Sequence, residues 1–164
     1  MYYDEISKSY EELYGLEQTR KIQHVLKLLD EKPKKVLDVG CGTGIASDYF
    51  ENYTGFDPSK ELTKIAKEKK RKGWIFIDSA ENFSTKEKYD LIICLTVAHH
   101  FQDKIKAINN MKIHLKENGL LILSLLKKSP SNKEVLEILK KHFEIETSQN
   151  EKDIFYKCKP KKFI

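Results

Sequence analysis

The residues whose types and spacing can do chemistry begin at "VLDVGCGTG", Val36 to Gly44. There an apolar run containing Asp38 passes into Gly40, Gly42 and Gly44 at alternate positions. Glycines directly after a strand let the backbone turn sharply and lie close against a ligand. In an open parallel sheet the ligand crevice lies beyond the carboxyl ends of the strands. Phosphate is the simplest occupant of such a loop, but three features oppose it. No Lys-Ser or Lys-Thr pair follows, as a phosphate-binding P-loop requires. The third glycine also stands one residue too early for the G-x-G-x-x-G dinucleotide pattern. Asp38 beside the loop would repel a pyrophosphate and attract a ligand carrying positive charge.

Two further acids stand at the ends of apolar runs. "YTGFDPS" places Asp57 before Pro58 and Ser59, residues suited to begin a helix. A carboxylate in that position can accept both hydroxyls of a ribose. "WIFIDSAENF" places Asp78, Ser79 and Ala80 after a third run, where a carboxylate can accept from an adenine amine. Trp74, Ile75 and Phe76 read as core. Singly, each acid could be a turn residue or a helix cap. Three at successive strand ends, after such a loop, point to one site.

The elements that must hold these residues can be read from hydropathy. Strands are expected at Lys35–Val39, Tyr53–Phe56, Trp74–Ile77, Leu91–Leu95, Leu120–Leu125, Phe143–Thr147 and Ile154–Cys158. Helical faces are formed by Ile22, Val25, Leu26 and Leu29, by Ile105, Ile108, Met111 and Leu115, and by Val135, Leu136, Ile138 and Leu139. Continuous apolar strands alternating with amphipathic helices indicate a mostly parallel sheet covered on both faces. The last two strands are joined by "SQNEKD", too short for a crossover helix, so they form an antiparallel hairpin. The fold class is therefore α/β: a Rossmann-like seven-stranded sheet with one antiparallel strand.

At 164 residues the chain is expected to be one domain, with residues 1–31 as an N-terminal helical cover and 32–164 as the core. Its 40% hydrophobic and 34% charged residues are those of a soluble protein. No run approaches the length of a membrane span, and the N-terminus is too polar for a secretory signal. Cys41, Cys94 and Cys158 are too scattered for a zinc site and read as reduced thiols, so the expected compartment is the cytoplasm. His24, His114 and His142 fall on separate helical patterns, so no metal is expected. The net charge of +5, with lysine clusters at 67–72 and 157–162, permits an acidic partner such as RNA, although such clusters are ordinarily solvated faces.

Taken in order, "VLDVGCGTG", the acid of "GFDPS", the acid of "FIDSAENF", "YDLIICLTVAHHF" and "LKENGLLILS" resemble the successive motifs of class I S-adenosyl-L-methionine-dependent methyltransferases, in particular a small member with a methyltransferase type 11-like motif set. The resemblance covers nearly the whole chain. It implies a seven-stranded sheet with the penultimate strand in space reversed, and a cofactor whose methionine part lies along Gly40, Cys41, Gly42 and Gly44 beside Asp38. It also implies that Asp57, next to Pro58, holds the ribose and that Asp78, with Ser79 and Ala80, holds the adenine. Leu95 closes the fourth strand against the same ligand. From the N-terminal segment, Tyr10 is a candidate contact, Tyr3 and Tyr14 could screen the site from water, and Arg20 could pair with the cofactor carboxylate.

"CLTVAHHFQD" after the fourth strand faces the transferred methyl and bears on the acceptor. It lacks the Asn/Asp-Pro-Pro-aromatic motif of base-amine methyltransferases, and Cys94 lacks the neighbours of a base-carbon nucleophile. His99 and His100 are the candidate general bases, since imidazole accepts a proton near neutral pH. The HHF ending resembles both small-molecule methyltransferases and tRNA wobble-uridine methyltransferases, so small molecule and RNA both stand as acceptors. The short stretch after the fifth strand leaves little room for a substrate lid, which suggests an open mouth or a partner protein that completes it. The alternative to an enzyme is a cofactor-binding subunit or sensor that needs such a partner. A dehydrogenase is disfavoured by the glycine spacing.

Overall fold

The computed structural model describes residues 2–162, and the side chains of residues 15–162. Its frame is set by seven strands: β1 (Val36–Val39), β2 (Tyr53–Asp57), β3 (Trp74–Ile77), β4 (Tyr89–Leu95), β5 (Leu115–Leu126), β6 (Phe143–Gln149) and β7 (Asp153–Pro160). They form one sheet in the order β3-β2-β1-β4-β5-β7-β6. All neighbours from β3 to β5 run parallel, whereas β7 is antiparallel to both β5 and β6. The reversed strand is therefore second from the edge, as expected.

Four helices cover the sheet: α1 (Tyr2–Leu28), α2 (Lys60–Glu68), α3 (Lys104–Ile113) and α4 (Asn132–His142). Alternate strand residues separate two apolar layers. Val36, Leu91, Ile93, Ile122 and Phe155 meet Ile22 and Val25 of α1 on one side. Leu37, Ile92, Cys94, Leu121 and Leu123 meet Ile108 and Met111 of α3 and Val135 and Leu139 of α4 on the other. Burial on both faces explains why β1 and the middle of β4 are apolar without alternation. Cys94 is fully buried here, as expected of a core residue.

Trp74, expected in the core, is 66% exposed, because it opens the edge strand β3, while Ile75 is buried and Phe76 half-buried as expected. Three further details of the helical faces differ from the hydropathy reading. Leu115 is not on a helical face: α3 ends at Ile113, and Leu115 opens β5 opposite Tyr89, ahead of a register shift between Tyr89 and Leu91. Ile105 is 55% exposed, because the α3 turn that begins at the Asp103 cap turns it to solvent. Leu26 is also exposed, and Leu28 packs with Leu29 against the core in its place. A 3.6-residue period fixes a stripe but not its width, and each misplaced residue lies at the margin or end of its stripe.

No described helix is long and apolar enough to cross a membrane.

Candidate functional site

Parallel pairing brings the carboxyl ends of β1 to β4 to one rim of the sheet, and the chemistry-bearing residues collect there. Gly40, the first residue past β1, has φ of +73°, and Gly42 has φ of +58°. The amides of Gly40 and Cys41 both donate to the carbonyl of Phe56, at 2.9 and 3.0 Å, folding the loop back onto β2. The amide of Gly42 donates to Asp57 Oδ2 at 2.9 Å, and the amide of Ser59 donates to Asp57 Oδ1 at 2.9 Å. Asp57 thus ties the glycine loop to the start of α2. Ser59 caps that helix by accepting from Leu62, and Pro58 lies exposed just before the cap.

Asp38 is buried, and its Oδ2 accepts from the Tyr53 hydroxyl at 2.6 Å. Burial pushes its carboxyl up to about 7; the Tyr53 bond opposes that rise and the charge of Asp57 adds to it. With Gly40, Cys41, Leu95, Gln18 and Ile22, Asp38 lines a narrow cleft between the loop and α1. Burial likewise raises the thiol of Cys41 well above its ordinary range, so this cysteine acts as shape rather than as a nucleophile.

Asp78 follows β3 and accepts from the Ser79 amide at 2.8 Å. The turn beyond it is fixed by Asn110 of α3, whose amide nitrogen donates to the carbonyls of Ala80 and Phe83, each at 2.9 Å. The Ser79 hydroxyl is buried and has no hydrogen-bond partner among the described residues. A buried hydroxyl without a partner is costly, and at this rim it stands ready for a ligand's polar atom.

After β4 the chain turns at Thr96, whose φ of +57° is rare for a β-branched residue. Its amide donates to the Ser124 carbonyl at 2.9 Å, and its hydroxyl lies 3.3 Å from that of Ser124. The 3-10 turn Ala98–His100 follows, with the two imidazoles stacked at 3.9 Å between centroids. His99 is held below the usual imidazole range, chiefly by burial and further by the charges of His100, Lys104 and Lys21; burial alone lowers His100. Both rings are thereby biased to the neutral, proton-accepting form near neutral pH. Among the described residues no cluster of His, Cys, Asp and Glu could hold a metal ion.

Of the α1 candidates, Tyr10, Tyr3 and Tyr14 lie outside the residues whose side chains are described. Arg20 is exposed and faces a different cavity, shared with His24, Lys27 and the turn between β6 and β7. Gln18 and Ile22 are the α1 residues at the glycine loop. Two residues along a helix turn a side chain by about 200°, so a one-residue uncertainty in helix rotation decides which of these faces the ligand. The sequence reading also missed Thr96, whose strained backbone leaves no mark in residue type.

Known proteins resemble this chain in sequence and in fold. A family model described as a methyltransferase domain matches residues 14–150. An uncharacterized protein of Methanocaldococcus jannaschii is 33% identical over 125 residues, covering 75% of this chain and 49% of that protein. A ubiquinone biosynthesis O-methyltransferase of Actinobacillus pleuropneumoniae is 33% identical over 110 residues, covering 58% and 47%. The chain thus spans about half the length of the curated relatives it matches. The fold is shared with the crystal structure of the N-methyltransferase NodS from Bradyrhizobium japonicum in complex with S-adenosyl-L-homocysteine. That likeness has a TM-score of 0.73 over 88% of this chain and 87% of that one, at 19% identity.

Proposed function

The chain belongs to the methyltransferase-domain family, with the class I fold, and on that premise we propose that it transfers the methyl group of S-adenosylmethionine to an oxygen or nitrogen of a small molecule. The observation that carries this reading is the rim itself, where two carboxylates and a partnerless hydroxyl converge on a glycine loop. The fit to the cofactor is chemical. Asp38 offers negative charge to a cationic ligand in a buried setting where charge is weakly screened. Asp57 is a carboxylate at the end of β2, the kind of acceptor that ribose hydroxyls require, and the Ser79 hydroxyl has no partner among the described residues where a purine edge could supply one.

When bound, the cofactor supplies a methyl already activated on a sulfonium. The chain's task is to align the acceptor behind it and keep water out. In this reading a ring nitrogen of neutral His99 takes the proton that an acceptor O–H or N–H gives up. The small-molecule choice leans on the curated O-methyltransferase relative, and the three free cysteines agree with a reducing, cytoplasmic setting.

Two outcomes test this. Calorimetric titration with S-adenosylmethionine should show binding, and labelled methyl supplied with whole-cell extract should appear in the small-molecule fraction; label confined to RNA would overturn the acceptor class. The Asp38 ionisation adds a pH signature. In the free protein its carboxyl loses its proton near pH 7, and a cationic ligand favours the ionised form. Affinity therefore rises with pH and levels off above 7. From a pKa near 7, about a tenfold gain is expected between pH 6 and pH 8, and Asp38→Asn should flatten the profile.

A further inference from the structure

On the opposite side of β4 from the cofactor acids, a second polar pair is buried and incomplete. Asp153 opens β7 and pairs in register with Leu126, the last residue of β5, so it stands at the same rim as the His99 turn. It is 1% exposed, and neither carboxylate oxygen has a hydrogen-bond partner among the described residues. Its nearest cation is Lys21 of α1, itself 3% exposed, with Nζ 3.9 Å from Oδ2. That separation is an ion pair but too long for a hydrogen bond. The rest of the setting does not fill the gap: Glu17 is engaged with Lys152 at 3.8 Å, and the Asn150 side chain accepts from the Asp153 amide rather than serving its carboxylate. Asp153 also lines a cavity of about 240 Å³ between α1 and the β6–β7 turn, with Glu17, Arg20, His24 and Asn150.

We propose that Lys21 and Asp153 anchor the methyl acceptor by holding one of its hydroxyls between ammonium and carboxylate, which makes the acceptor a hydroxyl-bearing small molecule. The argument is one of donors and acceptors. The group that closes this gap must donate to a carboxylate and accept from an ammonium, and a hydroxyl does both. A protonated amine can only donate and would be repelled by Lys21; a carbonyl can only accept. The spacing suits it, since an oxygen about 2.8 Å from each atom sees the pair at roughly a right angle. Lys21 also lies close enough for its charge to act on His99, so the anchored hydroxyl and the proposed base share one neighbourhood. A purely structural ion pair would be expected to close to hydrogen-bond distance when both partners are buried.

This inference rests on the methyl-transfer reading, and the experiment separates the two. The full chain is first titrated with S-adenosylhomocysteine; absence of binding overturns the methyl-transfer reading and this one with it. With that ligand saturating, phenol, benzylamine and toluene are titrated as probes by nuclear magnetic resonance. Phenol should bind at least tenfold more tightly than toluene or benzylamine. In Asp153→Asn and in Lys21→Met the phenol advantage should shrink at least fivefold while S-adenosylhomocysteine affinity holds. A water bridging the pair, or a merely structural pair, would leave phenol no better than toluene in the unaltered protein, and that result overturns the proposal. An unchanged phenol advantage in both variants does the same. Should Asp153→Asn disturb the fold, Lys21→Met reads the same anchor from α1.

Discussion

Replacing Asp57 with Ala should weaken S-adenosylmethionine binding by at least a hundredfold. The side chain is buried and accepts two backbone amides, from Gly42 in the glycine loop and from Ser59 at the start of α2. A hydrogen bond to a charged group is worth roughly 1.5–3 kcal/mol, so losing both costs about 3 kcal/mol or more before any ligand contact is counted. The two amides would also be left unpaired in a buried place, and the loop would lose its tie to the start of α2 while keeping those to the Phe56 carbonyl. Asp57→Asn discriminates between charge and geometry. Its carbonyl oxygen can serve one amide, but its NH₂ group must then face the other N–H, donor against donor. An intermediate loss of about tenfold is expected from one such bond. Calorimetric titration reads the affinities and thermal unfolding reads the loop's contribution to stability. Affinity of the Ala variant within threefold of the unaltered chain would show that the loop holds its shape without this acid.

The strands were legible because both faces of this sheet are covered. A strand buried on two sides reads as an apolar run, so β1, with Asp38 as its one polar residue, and the middle of β4 stand out; β3 is an edge strand with Trp74 and Ile77 exposed, and its run before Asp78 was legible from β-forming residue types rather than from burial. The hairpin was legible by exclusion, since six residues cannot carry a crossover. Long-range partnerships were not. Nothing in "ENYTGFD" says that Tyr53 will bond Asp38, because that contact follows from the β1–β2 register, which places Asp38 beside Gly55, and not from residue type. The second role of Asp57 was hidden for the same reason: it read as a ribose acid, and its bond to Gly42 exists only once the loop folds back onto β2. Helix rotation was the other gap. On α1 the polar residues Gln18, Arg20 and Lys21 lie within one helical turn of each other but face the glycine loop, the hairpin cavity and the buried Asp153 respectively. Hydropathy orients a helix by its apolar stripe, and α1 has few apolar residues near its polar end to fix the angle.

The glycine loop and the His99 turn are also in steric contact, and Gly40→Ala should expose that coupling. A Cβ at residue 40 would lie 2.8 and 2.9 Å from the two methyls of Val97 and 3.1 Å from its Cβ. Val97 immediately precedes the Ala98–His100 turn, so pushing it aside moves the imidazoles as well as the loop. The backbone adds its own cost, because φ of +73° places a residue with a side chain in the left-handed region, at about 1–2 kcal/mol. Overpacking against a branched side chain adds about 1–3 kcal/mol, so the variant should lose about 2–5 kcal/mol of stability and bind cofactor more than tenfold less tightly. Val97→Ala in the same chain removes the two methyls but leaves the backbone strain and the 3.1 Å contact. The double variant should therefore recover part of the loss and no more, with a coupling of about 1 kcal/mol between the sites. Chemical denaturation of the two single variants and the double variant gives that coupling directly. Strictly additive losses would mean that the loop and the histidine turn move independently, and that the acceptor side of the rim does not feel the cofactor side through Val97.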